Sequence, residues 1–213
     1  MKSIWMFSAS GFSKENYGVA RRCGLKVAGF VEKDKQPAGL TFDGLPIICE
    51  DDFGVIVDPP EAAIISVGDP KLKEKIYNNI ISKFPDCEFP NAIDPSCVFL
   101  IPESIKFGKG VILHAWCLAT YNVTFGDFCQ SGSGLIIGHD CVVGDYGIFG
   151  IAASIAGHAT IGKSVRIGSN VATREGTTIC DNVTLGVGAV VVKDITEPGV
   201  YIGNPAKKLV KEK

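Results

Sequence analysis

The chain has 213 residues, 46% of them apolar, and a formal net charge of −2. That apolar share suffices for a buried core in one or two domains. There is no basic excess of the kind a nucleic-acid partner needs, and the apolar runs are too short and too broken by glycine to span a membrane.

The opening residues, MKSIWMFSASGFSKEN, hold an apolar run briefer than a signal peptide requires, so a cytoplasmic protein is expected. Ser3 to Ala9 reads as a strand, Ser10 to Ser13 as a turn, and Lys14 to Cys23 as a helix ended by Gly24. Leu25 to Val31 is a second strand, running out at Glu32-Lys33-Asp34. Gln36 to Pro46 reads as loop. Ala62 to Val67 is a further buried strand, and Lys71 to Phe84 has helical spacing with Pro70 at its start. Strands alternating with helices imply a small parallel α/β sheet, Rossmann-like in kind, over residues 1–90. Ligands of such sheets sit beyond the carboxyl ends of the strands. Three loops lie there: Ser8 to Ser13, Glu32 to Lys35 and Gly68 to Lys71. The first precedes a helix whose N-terminus suits a phosphate. It is not a full dinucleotide fingerprint, because Ser8 and Ser10 stand where two glycines of G-x-G-x-x-G belong. Glu32 ends its strand, where a carboxylate accepts from ribose hydroxyls or is simply solvated.

Pro85 to Pro95 reads as an extended connection. From Ile101 to about Thr196 the chain falls into blocks of six without interruption. The first place is bulky and apolar, as at Ile101, Phe107, Ile137, Val143, Ile155 and Ile167. The second is often glycine, as at Gly108, Gly126, Gly138, Gly144 and Gly168. The fifth is small or aliphatic, including Val111, Cys117, Cys129, Cys141 and Ala153. A fixed six-residue period is the signature of a parallel β-helix. Three blocks close one triangular coil, coils stack at about 4.8 Å, and glycine is expected to take the corners for its backbone freedom. This second domain spans 91–213 and ends in a cap built from VYIGNPAKKLVKEK, whose Lys207, Lys208, Lys211 and Lys213 are a solvated tail or an attraction for cofactor phosphates.

Eight cysteines occur without a C-x-x-C pair, so no zinc or redox motif is supported. Cys117, Cys129 and Cys141 sit in the inward fifth place and read as small core residues of a reduced protein. Of the three histidines, His114 lies beside Trp116 and is assigned a structural role. His139 follows Gly138 at a block corner, and His158 comes one coil plus one residue later.

A small α/β domain, a hexapeptide β-helix and then Gly203-Asn204-Pro205-Ala206-Lys207 resembles the bacterial nucleotide-sugar acetyltransferases, over nearly the whole chain. Within them it resembles the UDP-4-amino-sugar N-acetyltransferases and the sialic acid O-acetyltransferases. The most specific stretch is Ile137-Gly138-His139-Asp140-Cys141-Val142-Val143-Gly144-Asp145, similar to the catalytic H-[DE]-x-x-[IV]-G-[DE] of that family. The resemblance implies a left-handed β-helix, acetyl-CoA as co-substrate, no metal, and a homotrimer with the cofactor in a groove between prisms. It implies N-acetylation of a UDP- or dTDP-linked 4-amino-deoxy sugar for surface glycans, with O-acetylation of a sialic-acid-like sugar as the alternative. His139 would be the general base and Asp140 its partner. Ile148, Gly157, His158, Ser169 and Val187 would face the cofactor. Ser10, Gly11, Phe12, Glu32, Lys33 and Gly68 would face the nucleotide sugar.

Two positions depart from that pattern. Relatives often carry a second histidine nine residues after the first, where this chain has Ile148. The polarising contact is then lost, moved to His158, or supplied by a backbone amide such as that of Gly157. The family turn S-G-H-[GA] is here Ser10-Gly11-Phe12-Ser13, so Phe12 replaces a histidine and can stack on a base or sugar. A zinc hydratase on the same kind of helix needs two histidines five apart, and none are. A non-catalytic sugar-nucleotide scaffold is the remaining class, separated from the others by the effect of replacing His139.

Overall fold

The structure, a computed structural model, describes residues 3–56 and 61–210. The chain divides into two compact units, Met1–Ile93 and Asp94–Lys213. Lys211 and Lys213 of the expected basic tail lie outside the described residues.

The first unit is built on strand β1 (Ile4–Phe7), all four residues of which are buried. It is flanked in parallel by β2 (Val27–Glu32) and, on its other side, by the strand Ala62–Ile65. The loop expected over Gln36 to Pro46 instead contains a hairpin: β3 (Thr41–Phe42) turns back antiparallel into β4 (Leu45–Cys49). Pairing of β4 in parallel with β2 satisfies its backbone groups, and Ile47 and Ile48 carry the apolar pattern. Ala62–Ile65 is thus β5, and the order across the sheet is β3-β4-β2-β1-β5. Glu88, expected in the connection, forms a bridge beside Ala62.

Two helices complete this unit. Helix α1 (Gly11–Arg22) begins three residues earlier than its apolar spacing suggests. Ser10 is its N-cap, the side-chain oxygen accepting from the Ser13 amide at 3.4 Å. Helix α2 (Pro70–Lys83) is capped by Asp69, whose carboxylate accepts from the Leu72 amide at 2.8 Å. Edge-to-face rings of Tyr17, Phe30 and Phe42, with centroids 5.5–5.7 Å apart, seal α1 to the sheet.

The second unit is a three-sided parallel β-helix. On one side Leu118 pairs with Ile136, and Ile136 with Ser154. On the next, Thr124 pairs with Val142 and Val142 with Thr160. On the third, Gln130 pairs with Ile148 and Ile148 with Arg166. Each step is eighteen residues, three blocks of six. The first and fifth places fill the interior: Phe125, Ile137, Val143, Ile155 and Ile161 are buried, as are Val111, Cys129, Cys141, Ala153 and Val165.

The frame slips at both ends. Val98 pairs with Leu118, two residues more than a coil, and the short 3-10 turn Pro102–Ser104 takes up the extra length. Ile101 is therefore 40% exposed rather than a core residue. At the other end Val183 pairs with Gly199, two residues fewer, as the chain leaves the repeat for its cap.

The corners also differ from expectation. The left-handed backbone lies at the fourth place of the blocks, at φ between 49° and 60° for Trp116, Asn122, Phe128, Asp140, Tyr146, Ala152, His158, Ser164, Asn170 and Asn182. The second-place glycines have a steric reason instead. A Cβ on Gly144 would lie 2.8 Å from the Gly162 carbonyl carbon and the Lys163 nitrogen of the next coil. One on Gly168 would lie 2.7 Å from the Val187 nitrogen. Gly144→Ala should therefore destabilise the protein by about 1–3 kcal/mol, the range for overpacking. Ala152→Gly, at a left-handed corner, should be neutral or stabilising by up to about 2 kcal/mol, because relief of about 1–3 kcal/mol of φ strain outweighs the roughly 0.5–1 kcal/mol entropic cost of glycine. Urea unfolding of both variants against the parent measures this difference.

Candidate active site

The corner carrying His139 lies between two short strands, Ile136–Ile137 and Val142–Val143. Ile137 and Cys141 point inward and are fully buried, so the two residues between Gly138 and Cys141 are held on both sides. The Cys141 thiol donates to the Ala156 carbonyl at 3.1 Å, and burial pushes its pKa up. It is a core group, as its fifth place suggested, and not an activated nucleophile.

His139 is exposed and Asp140 half-buried beside it. Nδ1 of His139 is 3.1 Å from Oδ2 of Asp140. The other carboxylate oxygen accepts from the Asn122 side-chain amide at 2.7 Å. That hydrogen bond, followed by the one with His139, holds the Asp140 pKa below its ordinary value, and the nearby imidazoles act in the same direction. The acid is thus kept ionised and fixed in orientation by both of its oxygens.

The next coil supplies the rest of the cluster. The His158 amide donates to the His139 carbonyl at 2.7 Å, which is why a spacing of one coil plus one brings the two histidines together. Their rings meet edge to face with centroids 4.7 Å apart. Nδ1 of His158 lies 3.8 Å from the same Asp140 oxygen that faces His139. Gly157 lies below the His139 ring: a Cβ there would come within 2.8 Å of Nε2 and 2.9 Å of Cε1. The space in front of Nε2 exists because this position has no side chain.

Asn122 escaped the sequence reading. Its signal was present, since it stands one coil before Asp140 at the same place of the repeat. His114 is buried, with its amide donating to the Ser131 hydroxyl at 3.2 Å.

The remaining expected cofactor residues lie elsewhere in this unit. Ile148 is buried on the side of the prism across from the His139 corner. Ser169 and Val187 line up with Ile151 at a different corner, the Ser169 hydroxyl accepting from the Ile151 amide at 3.2 Å. Ile151 and Val187 are 59% and 76% exposed. At the cap, the Lys208 ammonium is paired with Glu197 at 2.8 Å.

In the first unit the expected sugar-nucleotide residues cluster at the carboxyl ends of β1, β2 and β5. Glu32 accepts from the Ala9 amide, so one of its oxygens already braces the loop after β1. Ser13 donates from its hydroxyl to the Ser8 carbonyl, and the Ser8 hydroxyl donates to that of Ser10 at 3.1 Å. The Phe12 ring packs against Gly68, at the ordinary contact distance of 3.5 Å from a Cβ built there. Gly11 and Lys33 are exposed. Among the described residues no helix is long and apolar enough to cross a membrane.

No family model matches the chain. Two curated acyltransferases match at 40% and 37% identity over 70 residues, which is 33% of this chain and only 27% and 23% of their own length. GDP-perosamine N-acetyltransferase of Escherichia coli O157:H7 is 22% identical over 184 residues, covering 83% of this chain and 80% of that one. PerB from Caulobacter crescentus, solved in complex with CoA and GDP-perosamine, superposes with a TM-score of 0.90 at 26% identity, over 99% of this chain and 98% of that one. The homologues and structural neighbours of this chain are of the hexapeptide-repeat acyltransferase superfamily. Its parallel coils fit the left-handed β-helix acyltransferase fold. A further structural neighbour, the acetyltransferase domain of PglB from Neisseria gonorrhoeae FA1090 in complex with acetyl coenzyme A, gives a TM-score of 0.85 at 26% identity, over 98% and 99% of the two chains.

Asn122→Ala removes the largest cause of the depressed Asp140 pKa. The Asp140 carboxyl should then titrate at higher pH than in the parent, as read by carbon-detected NMR of the side chain.

Proposed function

We propose that this chain transfers the acetyl group of acetyl-CoA to the amino group of a nucleotide-linked amino sugar. One observation carries the reading. An exposed imidazole is oriented by a carboxylate 3.1 Å from its Nδ1, while its Nε2 faces the space left open by Gly157. The likenesses to sugar N-acetyltransferases solved with CoA, acetyl coenzyme A and GDP-perosamine support the same chemistry.

In this mechanism Asp140 accepts from Nδ1–H of His139 and leaves the Nε2 lone pair as the base. The neutral sugar amine attacks the thioester carbonyl. Nε2 of His139 takes the proton that the amine loses. The tetrahedral intermediate collapses by breaking the C–S bond, and the imidazolium returns its proton to the departing CoA sulfur. No acyl-enzyme forms. The developing oxyanion needs a donor where relatives place a second histidine, and the Gly157 amide or His158 is assigned that role in place of Ile148.

The first unit is assigned to the nucleotide as a Rossmann-like domain over residues 1–90, with the β-helix over 91–213. Ser10, Gly11 and the N-terminus of α1 suit a phosphate. Phe12 beside Gly68 offers a ring for stacking, and Glu32 and Lys33 offer polar contacts to the sugar or ribose. Because Ser169 and Val187 stand on a different corner from His139, one groove can use both only between two copies of the chain. A homotrimer meets that requirement, and exposed Ile151 and Val187 would be covered in it. The cytoplasm, where acetyl-CoA and sugar nucleotides are made, is the assigned compartment.

Thiol release from acetyl-CoA, assayed with UDP-, dTDP- and GDP-linked amino sugars, tests the reading. Turnover should require the amino group. Acetylation of a hydroxyl on a sialic-acid-like sugar would replace it with O-acetyl transfer. His139→Ala should lower kcat by about 10²–10⁴-fold, the worth of a general base, with an unchanged thermal midpoint. Full turnover in that variant would remove His139 from the mechanism. Gly157→Ala forces the ring aside and should cost about 10²-fold in kcat.

A further inference from the structure

The corner that carries the base holds a second chemistry. Three donors of metal-ligand type converge there from two adjacent coils. Nδ1 of His139 and Nδ1 of His158 lie 3.1 and 3.8 Å from one oxygen of Asp140, and a donor atom from each of the three residues falls within 4.8 Å of the others. Tetrahedral zinc, with bonds of about 2.0–2.1 Å, holds its donors about 3.3 Å apart. The two measured spacings bracket that value. The wider separation closes by rotating the His158 side chain, 54% exposed, toward the Asp140 carboxylate that His139 and Asn122 already hold in place. The same exposure leaves room for water in a fourth position.

The geometry points to His139, Asp140 and His158 as a binding site for a divalent transition-metal ion such as zinc. Two imidazoles and one carboxylate suit zinc, cobalt or ferrous iron, whereas magnesium and calcium prefer all-oxygen sets. Asn122 completes the design from outside. Its amide holds the Asp140 oxygen that faces away from the histidines, as second-shell groups do around ligating carboxylates. The backbone fixes the pair as well, since the His158 amide is bonded to the His139 carbonyl at 2.7 Å.

Binding has a consequence that rests on the base assignment above. A metal on Nδ1 of His139 occupies the lone pair there and displaces the proton shared with Asp140 to Nε2. The imidazole stays neutral, but the nitrogen facing the acceptor now carries hydrogen and cannot take another proton. A bound metal therefore silences acetyl transfer, reversibly, instead of assisting it. This is a regulatory or inhibitory ion and not a resident cofactor.

The test uses the full chain without an affinity tag. Cobalt(II) is titrated and followed by its visible absorption, and zinc(II) is titrated by calorimetry. One ion per chain is expected, with the intense absorption of a four-coordinate centre. Asp140→Asn and His158→Ala should each weaken binding by more than about tenfold, and Asn122→Ala by about 10–100-fold, the usual cost of a lost second-shell contact. No stoichiometric binding by the parent overturns the proposal. So does binding that is unchanged in both ligand variants, which would move the ion to the cysteines. In the transfer assay zinc should abolish turnover and a chelator restore it. Metal binding is read without turnover, so a failed base assignment and a failed metal site give different results.

Discussion

One hydrogen bond recurs at every coil and fixes the second unit. The amide at the fourth place of a block donates to the carbonyl at the third place one coil earlier. Asp140 donates to Tyr121 at 2.9 Å, Tyr146 to Asp127 at 2.7 Å, Ala152 to Ser133 at 2.9 Å, His158 to His139 at 2.7 Å and Gly176 to Gly157 at 2.9 Å. The bond needs a left-handed residue at the corner. For a side chain other than glycine that conformation costs about 1–3 kcal/mol, comparable with or above the net worth of one hydrogen bond, about 0.5–1.5 kcal/mol. No corner is stable alone. The stack holds because each corner also aligns a strand above and below it and presses the first and fifth places into a shared core.

The candidate site is a by-product of this rule. The fourth place must turn left-handed, so asparagine and aspartate are well suited to it, and Asn122 and Asp140 follow that preference. The third place turns outward at the corner without core contacts. A histidine there costs the fold little, and an aspartate after it is already favoured by the turn. His158 occupies a left-handed corner, which histidine, like asparagine and aspartate, enters more readily than most residues, and the ladder bond to His139 sets it against the first histidine. Gly157 combines the close approach of coils with an open space before Nε2. The function proposed for this corner uses positions where stacking leaves the side chain free to vary.

The first unit follows a different constraint. Its loops at the carboxyl ends of the strands are tied by short local bonds. Ser10 caps α1, Glu32 braces the Ala9 amide, and Ser13 reaches back to the Ser8 carbonyl. Parallel pairing of β1 with β2 and β5 places these loops side by side. The start of α1, the end of β2 at Glu32 and the turn at Gly68 thus come together from three segments far apart in sequence.

The sequence by itself determined the period, the inward places and the histidine-aspartate pair, because apolar periodicity reports which side chains are buried and a short motif reports neighbours along the chain. It also located the alternating strands and helices of the first unit, although the start of α1 was hidden because a cap is read from a side-chain hydrogen bond rather than from apolar spacing. Only the tertiary structure decided what lies across coils. The β3–β4 hairpin was invisible because β4 is made a strand by its partner β2. The role of the second-place glycines was misread as a matter of dihedral angles, since the backbone they must avoid belongs to the next coil. Asn122 at Asp140, and His158 against His139, depend on which amide meets which carbonyl between coils, and that register is set by the left-handed corners and by no single stretch of residues.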